Sequence, residues 1–483
     1  MQTGHKVKRR TFIPILFIIF LAIAFQQCKR TTAPEKPNIP PTTTIANVPV
    51  EGDTIFPLVQ ITWDGGDLDG YIVGCQYRFT TYHLFKGDSF STDWKFSPDE
   101  ILKIIFESSD SLNKQVLQIR AVDNDGGVDP TPAKRIFYTK RTVAPVTSVQ
   151  TPLDAHTYFY LDQTTDWWQG IHLTFSAFDK DGEVVDYAYA VDGGDWIWTN
   201  DTSLYLTADD FQAPLEGTHE IKVTAKDNTN LIDPVGATVH ITLVKPTFEK
   251  DILIVDETDE SQFPSSAKTT DAKVDSFYWK LFGYHDSWDY LQKGMPPKKV
   301  LGQYKMVIWH ADNKPTTHPH QIIYNTDDLA DYLNVGGDMI VSGWRILKSF
   351  AWEENFPRTF EEGSFVHDYF HINKVDETPA IPSDMFAVNG INGLDDMWTD
   401  SLKLKSFPYL YKLDQINVIS ELGGFTKTIF LYGGANMNYV GRPCGLHYYG
   451  TSFDIIVLGF PLYFMREDQA EIVGKELLKS MGY

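Results

Sequence analysis

Cysteine is scarce in this chain, which has only three among its 483 residues. Three cysteines cannot form a disulfide framework, so the fold must be stabilised by buried apolar surface instead. Cys75 lies in the alternating segment 71–79, which places it on the apolar face of a half-buried strand as a small core residue. Cys444 lies far along the chain, and a bridge to Cys75 would have to join different domains.

Positive charge is sparse as well. The chain has 42 lysines and arginines against 64 aspartates and glutamates, which gives a formal net charge of −22. A field of this sign repels nucleic-acid phosphates and anionic lipid headgroups. We therefore expect no nucleic-acid binding. Hydrophobic residues make up 42% of the chain, which is typical of a globular protein.

Long hydrophobic runs are rare, and the one at residues 12–25 is short. About 14 residues of helix span roughly 21 Å, which is less than the ~30 Å hydrocarbon core of a bilayer. Four basic residues precede the run, namely Lys6, Lys8, Arg9 and Arg10. A basic start followed by a short apolar run is typical of a secretory signal and not of a permanent span.

The run ends just before Cys28 and resembles a bacterial lipoprotein signal, in which the cysteine becomes the lipidated first residue. The resemblance implies a signal over residues 1–28 with the lipid, including palmitate, on Cys28. Because Lys29 follows instead of aspartate, it also implies the outer membrane of the cell envelope. Ordinary cleavage and an uncleaved anchor are the alternatives. Loss of residues 1–27 removes four positive charges and moves the formal net charge from −22 to −26.

Residues 29–44 are rich in threonine and proline and poor in large apolar side chains. Such a segment buries too little surface to offset its ordering entropy, so we expect a flexible tether there. The remaining ~440 residues exceed a single core and predict three domains of ordinary size.

The middle of the chain repeats itself. Asp67 recurs 112 residues later as Asp179, in each case within an Asp-x-Asp-Gly turn. The segment 121–124 recurs 104 residues later as the segment 225–228. Two matching segments in register indicate a tandem duplication.

Each copy consists of short alternating segments, such as 116–122 and 219–225, separated by Asp, Gly, Asn and Pro. Regular short strands with turn residues predict a β-sandwich of about 100 residues. The pattern resembles the immunoglobulin-like or fibronectin type III-like repeats of bacterial surface proteins. We expect one all-β sandwich over residues 45–142 and a second over residues 143–246.

The repeats carry matching acidic clusters that suggest a calcium hypothesis. They are Asp67, Asp69 and Asp123 in the first copy, and Asp179, Asp181 and Asp227 in the second. Ca²⁺ prefers hard carboxylate oxygens such as these. The alternative, which we favour, is turn chemistry, in which the aspartates accept hydrogen bonds from their own backbone.

From residue 250 onward, predicted strands alternate with predicted helices. Residues 251–256 form a continuous apolar run that ends in acids, which is typical of a strand buried on both faces. Further strands are predicted at 306–309, 339–341, 428–432 and 455–458, and helices at 272–282, 327–333 and 466–481. The alternation predicts a mostly parallel sheet with helices on both faces, and hence an α/β domain over residues 250–483.

Four of these segments, 251–256, 304–310, 332–343 and 457–461, resemble class I glutamine amidotransferase-like domains of flavodoxin-like fold. In active members the nucleophile is a cysteine on the sharp turn after the Gly-Gly strand, and a late histidine is followed two residues on by glutamate. Here the turn contains Trp344, which has no nucleophilic atom, and His447 is followed by Tyr449. The resemblance therefore implies a degenerate domain without amidotransferase activity.

Isolated residues offer weaker catalytic candidates. Cys444 and His447 lie three residues apart and could form a thiolate pair, although we favour a structural loop there because the segment precedes the last strand. His367 and His371 have the i, i+4 spacing of zinc ligands on a helix, but their aromatic neighbours favour a core role. His310 ends a predicted strand at the edge where open α/β sheets bind ligands.

Tryptophans could form a platform for sugar rings or anchor a protein interface, or they could belong to the core. The candidates are Trp167, Trp168, Trp196 and Trp198.

Taken together, these patterns predict a multidomain, non-enzymatic envelope lipoprotein: two all-β sandwiches that form a stalk, followed by a degenerate α/β domain that binds a protein or glycan. The alternative is an exported hydrolase that acts on an envelope or extracellular substrate through the crevice near Asp256, His310 and Trp344. That alternative requires a nucleophile, or a paired acid and base, within hydrogen-bond reach in the crevice, and His310, Cys444 and His447 are its candidates.

Overall fold

A computed structural model describes residues 36–46, 49–263, 269–380, 385–405 and 413–483. Cys28, the predicted signal and residues 29–35 lie outside the described residues. The chain divides into two compact units, which we treat separately. One contains the described residues up to Val143 together with Lys180–Gly182, and the other contains Ala144–Asp179 and Glu183–Tyr483. Within the described ranges, no helix is both long enough and apolar enough to cross a membrane.

The first unit contains two sheets. Its strands are β1 (Thr42–Ala46), β2 (Thr54–Ile55), β3 (Leu58–Gly66), β4 (Ile72–His83), β5 (Ser89–Ser91), β6 (Lys95–Ser97), β7 (Ile101–Ile105), β8 (Leu112–Asp123) and β9 (Ala133–Lys140). One sheet has the order β1-β3-β7, and the other has the order β2-β9-β8-β4-β5, with β6 also paired to β4. β2 runs parallel to β9.

The core of this unit lies between the two sheets. On β3, Val59, Ile61 and Trp63 are buried while the residues between them are exposed, because successive side chains point to opposite faces of a strand. They share one cluster with Leu117 and Ile119 of β8. The prediction of a β-sandwich is thereby confirmed, and Cys75 is fully buried within it.

The predicted tether extends too far along the chain. β1 begins at Thr42, where Thr42, Thr43 and Thr44 pair with residues 64–66 of β3. Threonine is β-branched and suits a strand as well as a polar linker, so the amino-acid composition could not distinguish the strand from a tether.

The second sandwich repeats the topology of the first. Its strands are β10 (Val146–Thr151), β11 (Thr157–Phe159), β12 (Ile171–Phe178), β13 (Val184–Val191), β14 (Ile197–Thr199), β15 (Ser203–Leu206), β16 (Gly217–Asp227) and β17 (Ala237–Val244). The sheets have the orders β10-β12-β15 and β11-β17-β16-β13-β14, and β11 again runs parallel to the last strand. Matching strand orders support the tandem duplication.

The C-terminal domain follows in the same unit. Its strands are β18 (Lys250–Asp256), β19 (Asp286–Asp289), β20 (Tyr304–Ala311), β21 (Asp338–Gly343), β22 (Arg358–Thr359), β23 (Ile372–Glu377), β24 (Met385–Gly390), β25 (Met397–Trp398), β26 (Asn417–Glu421), β27 (Thr426–Gly434), β28 (Pro443–Tyr449) and β29 (Asp454–Leu458). Its helices are α1 (Asp271–Phe282), α2 (Tyr290–Lys293), α3 (Lys298–Leu301), α4 (Thr326–Asn334), α5 (Ile346–Ser349), α6 (Phe365–Asp368), α7 (Ser401–Lys405) and α8 (Glu467–Ser480).

The main sheet of this domain is mixed. Its strand order is β19-β18-β20-β21-β29-β28-β27-β24-β25. The strands from β19 to β29 are parallel, whereas the pairs from β29 to β25 are antiparallel. The prediction of a mostly parallel sheet is therefore corrected, because half of the strand pairs are antiparallel. One reason is that β24 and β25, β27 and β28, and β28 and β29 are joined by short connections, which allow hairpins but are too short for a parallel crossover.

Both faces of the sheet are covered. Ile252, Ile254 and Ile308 pack with α1 and α8 on one face, while Leu253 and Val307 on the other face belong to a cluster that also contains α4 and the second sandwich. The second sandwich and the α/β domain thus share a continuous apolar core. A small residue is required in this contact, since a Cβ on Gly302 would lie 2.8 Å from the ring of Phe159.

Candidate functional site

The carboxyl ends of β18, β20 and β21 meet at one edge of the sheet, where open α/β sheets bind ligands. Glu257 follows β18, Asp312 and Asn313 follow β20, and Arg345 follows β21. A cavity of about 290 Å³ opens at this edge. Its walls include Glu257, Asp259, Tyr290, Asn313, His318 and Gln321. This edge is the crevice that the sequence predicts.

His310 is fully buried at the end of β20 and is surrounded by acids. Its Nδ1 lies 3.2 Å from Asp256 Oδ1 and 3.2 Å from Asp312 Oδ2. Its ring stacks on Tyr278 of α1 with the centroids 3.6 Å apart. Burial disfavours the charged ring, but the two carboxylates outweigh burial and raise the pKa of His310 above its ordinary value. The imidazole therefore balances the charge of these acids.

Asp256, Asp271 and Asp275 form a carboxylate cluster beside this histidine, with oxygens within 4.8 Å of one another. Burial raises the pKa of Asp271 to about 7, and the negative charges of Asp256 and Asp275 add to the shift. The pKa of Asp275 is also raised, by burial and by Asp256. Carboxylates in this arrangement are the residues of the crevice that could hold a hard cation. The sequence does not reveal the cluster, because α1 brings Asp271 and Asp275 to β18 only in the folded domain.

The turn after β21 is a strained strand-to-helix elbow. Its left-handed residue is Arg345 (φ 58°, ψ 28°), which caps α5, and not Trp344, the residue singled out from the sequence. Arg345 Nε donates to Glu377 Oε1 at 2.7 Å, Nη2 donates to Glu377 Oε2 at 3.2 Å, and Nη1 donates to the Pro315 carbonyl at 3.1 Å. Trp344 is fully buried, and its Nε1 donates to the Asp414 carbonyl at 2.8 Å. The left-handed position of this turn is thus occupied by a cation that only donates hydrogen bonds.

Glu257 and His320 form a buried polar pair in the wall of the cavity, with His320 Nδ1 3.7 Å from Glu257 Oε1. Burial raises the pKa of Glu257 to about 7, although hydrogen bonds from Gln321 N, Trp309 Nε1 and Ile322 N oppose the shift. Burial lowers the pKa of His320 to about 4, so its ring is neutral and its Nε2 donates to the Trp344 carbonyl at 2.8 Å. The pair secures the loop at residues 320–322 to the ends of β18 and β21.

The other catalytic candidates lie elsewhere in the sheet. Cys444 and His447 are buried on β28, which is a strand and not the loop that we favoured. β21 and β29 separate β28 from β20, so three strand spacings of about 4.8 Å put these residues roughly 14 Å from the strand of His310. Burial also raises the pKa of the Cys444 thiol. The structure does not bring His310, Cys444 and His447 together.

The histidine pair proposed from i, i+4 spacing does not share a helical face. Helix α6 ends at Asp368, and His371 lies beyond it with φ 53°. His371 stacks on Tyr448 with the centroids 3.5 Å apart, which is a packing role.

In the first repeat, the aspartates take part in turn hydrogen bonds. Asp123 Oδ1 accepts from Asp125 N at 2.9 Å and from Gly127 N at 2.8 Å, and Oδ2 accepts from Asn38 Nδ2 at 2.7 Å. Asp67 Oδ1 accepts from Asp69 N at 3.3 Å. The carboxylates satisfy backbone donors as turn chemistry predicts.

The acids of the second repeat divide between the two units. Asp179 and Asp227 belong to the second unit, whereas Asp181 belongs to the first and accepts a hydrogen bond from Val143 N at 3.1 Å. Asp227 Oδ1 accepts from Thr229 N at 2.7 Å and from Leu231 N at 2.8 Å, while its buried Oδ2 has no hydrogen-bond partner among the described residues. Calcium binding at these acids stays a prediction.

The tryptophans differ in exposure. Trp168 is buried, Trp167 is half-buried against the α/β domain, and Trp196 and Trp198 are exposed on or beside β14. Sequence composition cannot separate these cases, because burial depends on how the second sandwich packs in its unit.

Comparison with known proteins gives only distant likenesses. No protein-family model matches the chain, and no curated protein matches it. Among solved structures, fibronectin(III)-like modules of Clostridium thermocellum CbhA share 18% identity over 42% of this chain and 95% of theirs, with a TM-score of 0.19. The PKD1 domain of Vibrio anguillarum Epp shares 15% identity over 22% of this chain and 100% of its own, with a TM-score of 0.15. A Ca²⁺-stabilized ice-binding adhesin of an Antarctic bacterium shares 14% identity over 48% of this chain and 56% of its own, with a TM-score of 0.17.

Proposed function

We propose that the protein is a non-enzymatic lipoprotein of the bacterial cell envelope. Its two sandwiches form a stalk, and its C-terminal domain, a degenerate relative of class I glutamine amidotransferase-like domains, binds a protein or glycan. The observation that carries the proposal is the elbow after β21, where Arg345 is held by Glu377. Arginine cannot lose its proton in a protein and cannot act as a nucleophile.

The position of the remaining candidates argues against the alternative of an exported hydrolase. The Cys444 thiol is buried inside the sheet domain, and His310 is enclosed by Asp256 and Asp312. A nucleophile requires a reachable thiolate or hydroxyl beside a base. The Thr258 hydroxyl lies 3.3 Å from His310 Nδ1, but both residues are buried.

The envelope location rests on the sequence before the described residues. The basic start, the short apolar run and Cys28 support export and lipidation, and Lys29 supports the outer membrane. Metabolic labelling with an alkynyl palmitate, followed by separation of inner and outer membranes, tests this placement. We expect label on the wild type in the outer membrane, no label on Cys28→Ser, and labelled Lys29→Asp in the inner membrane. Label on Cys28→Ser would contradict the lipid site.

Binding without catalysis is tested on the mature protein in detergent. We expect it to co-sediment with isolated cell-wall sacculi, which offer no bilayer to the lipid on Cys28. The rates at which the wild type hydrolyses glutamine and p-nitrophenyl esters are measured in parallel. They should be no higher than the rates of the Arg345→Ala variant. Turnover that Arg345→Ala or Cys444→Ser abolishes would support the hydrolase instead.

A further inference from the structure

A second cavity, of about 420 Å³, lies within the second unit where the second sandwich meets α4. We call it the Trp167 cavity. Its walls include Asp166, Trp167, Gln169, His172, Tyr205 and Asn334. Both domains contribute residues, and their shared apolar core fixes the walls relative to each other. The volume falls in the range of sites that bind small ligands.

Aromatic rings form one side of the Trp167 cavity. His172 of β12 and Tyr205 of β15 are directly paired in the sheet, and their rings stack with the centroids 4.7 Å apart at 19°. Tyr205 is 47% exposed, so it is not needed for the core. Trp167 packs edge-on against Phe453 of the sheet domain at 5.0 Å, which fixes its orientation.

Polar groups surround these rings. Asp166 and Gln169 are exposed, and their side chains make no hydrogen bond to any other described residue. Asn334 Oδ1 accepts from Tyr369 OH at 3.1 Å, which orients its amide. The charge of Asp331, also in the wall, is paired with Lys298 Nζ at 3.0 Å. Hydrogen-bond acceptors and amide donors are therefore available for a ligand. Of the two carboxylates in the wall, only that of Asp166 is unpaired.

The combination selects a chemical class. Aromatic faces suit the C–H faces of pyranose rings, and carboxylate and amide groups suit their hydroxyls. The unpaired Asp166 and the net negative charge of the protein disfavour anionic ligands. We propose that the Trp167 cavity binds a neutral oligosaccharide, with Tyr205 as the stacking residue and Asp166 as a hydroxyl acceptor. This inference rests on the proposed function and extends it, because the glycan site takes most of its wall from the second sandwich and only Asp331 and Asn334 from the C-terminal domain.

Calorimetric titration of the mature protein in detergent tests the proposal. The probes are cellopentaose, chitopentaose, laminaripentaose and maltopentaose, with tetramethylammonium as a cationic competitor. We expect at least one pentasaccharide to bind with a Kd below about 1 mM, and Tyr205→Ala to weaken it about tenfold. Tyr205→Phe should retain most of the affinity because it keeps the ring, and Asp166→Asn should lose part of it.

The controls are Trp198→Ala and Tyr324→Ala, which remove exposed rings outside the cavity; near-UV circular dichroism checks the fold of each variant. The proposal is overturned if none of the four sugars produces heat on titration, or if tetramethylammonium displaces a bound sugar. It is also overturned if Trp198→Ala abolishes sugar binding while Tyr205→Ala does not. If Tyr205→Ala still co-sediments with sacculi while no sugar binds, this inference fails and the proposed function stands. If co-sedimentation is also absent in the wild type, both fail.

Discussion

Arg345 combines backbone strain with a charge pair at the turn from β21 into α5. Left-handed backbone at a residue other than glycine costs roughly 1–2 kcal/mol, so surrounding contacts must hold it in place. The two hydrogen bonds to Glu377 do so in a setting where both side chains are only 13% exposed. Removing one partner leaves a poorly solvated charge, which costs more than the pair itself contributes.

We therefore expect Arg345→Ala to lower the free energy of unfolding of the second unit by about 3 kcal/mol. Urea denaturation followed by tryptophan fluorescence measures the change. The matched control is Arg466→Ala, which breaks an exposed pair with Asp468 and should cost less than about 0.5 kcal/mol. In a double-mutant cycle with Glu377→Ala, a coupling near zero would contradict the assigned pair.

Asp271 predicts a pH dependence of stability. Its pKa is raised to about 7 in the folded protein, so the folded state binds a proton that the unfolded state releases near pH 4. Stability is then highest below pH 4 for this group and falls as the pH rises through 7. Asp271→Asn should raise Tm by about 1–3 °C at pH 8 and leave it unchanged at pH 4.

Thermal unfolding of the Asp271→Asn variant across this range provides the measurement. Glu362→Gln, an exposed loop substitution, is the control and should shift Tm equally at both pH values. A Tm gain at pH 4 equal to that at pH 8 would rule out the ionisation of a half-buried Asp271 as the cause.

Only part of the crevice is visible in the sequence. Asp256 and His310 end predicted strands, and parallel strands bring their carboxyl ends to one edge, so their proximity follows from the fold class. Asp271, Asp275 and Glu377 were missed because nothing in their spacing ties them to β18 or to the elbow. One residue of the turn at 342–345 takes the strained conformation, and backbone geometry decides which. The spacing of the sequence motif alone favoured Trp344.

Among secondary-structure elements, the ends of β8 and β16 carry the repeated aspartates. Asp123 directs its oxygens at the amides of the following turn and at Asn38. We expect Asp123→Ala to lower the stability of the first unit by about 1–3 kcal/mol, because three donors lose their charged acceptor.

The loss of stability in Asp123→Ala should be the same in EDTA and in millimolar Ca²⁺. The reason is that N–H groups already bind the Asp123 carboxylate oxygens that a cation would need. Chemical denaturation in both buffers measures it, with the neighbouring Asp125→Ala as control. A cost that disappears in EDTA would make Asp123 a calcium ligand.

The strands and helices with a clear apolar pattern were predicted correctly from the sequence. The segments 306–309 and 455–458 are found within β20 and β29, and 466–481 contains α8. β28 was missed because Pro443 and Gly445 resemble loop residues, although the strand pairs on both sides. Three of the four antiparallel pairs join strands that follow each other through short connections, but the pairing of β24 with β27 joins strands distant in sequence, and that information is not local.

On the scale of the molecule, the two sandwiches differ in how their apolar cores are built. The first sandwich has its own core cluster, while the second shares one with the sheet domain. We expect calorimetry to show that Phe159→Ala lowers the transition of the whole second unit, by about 3–5 kcal/mol in stability, and leaves the first unit unchanged.

Phe79→Ala, in the core of the first sandwich, is the matched variant and should affect only the other transition. Separate melting of the second sandwich from the α/β domain in the Phe159→Ala variant would contradict a shared core.

The shared core also sets the order of events during synthesis. The first sandwich is complete once Lys140 has emerged, but the second, though a copy of it, packs against residues that come after Val244. Those residues extend to Val457, and at roughly 5–20 residues per second they take tens of seconds to appear. The two repeats therefore complete their packing at different times, and the second stays incompletely packed until the shared core is present.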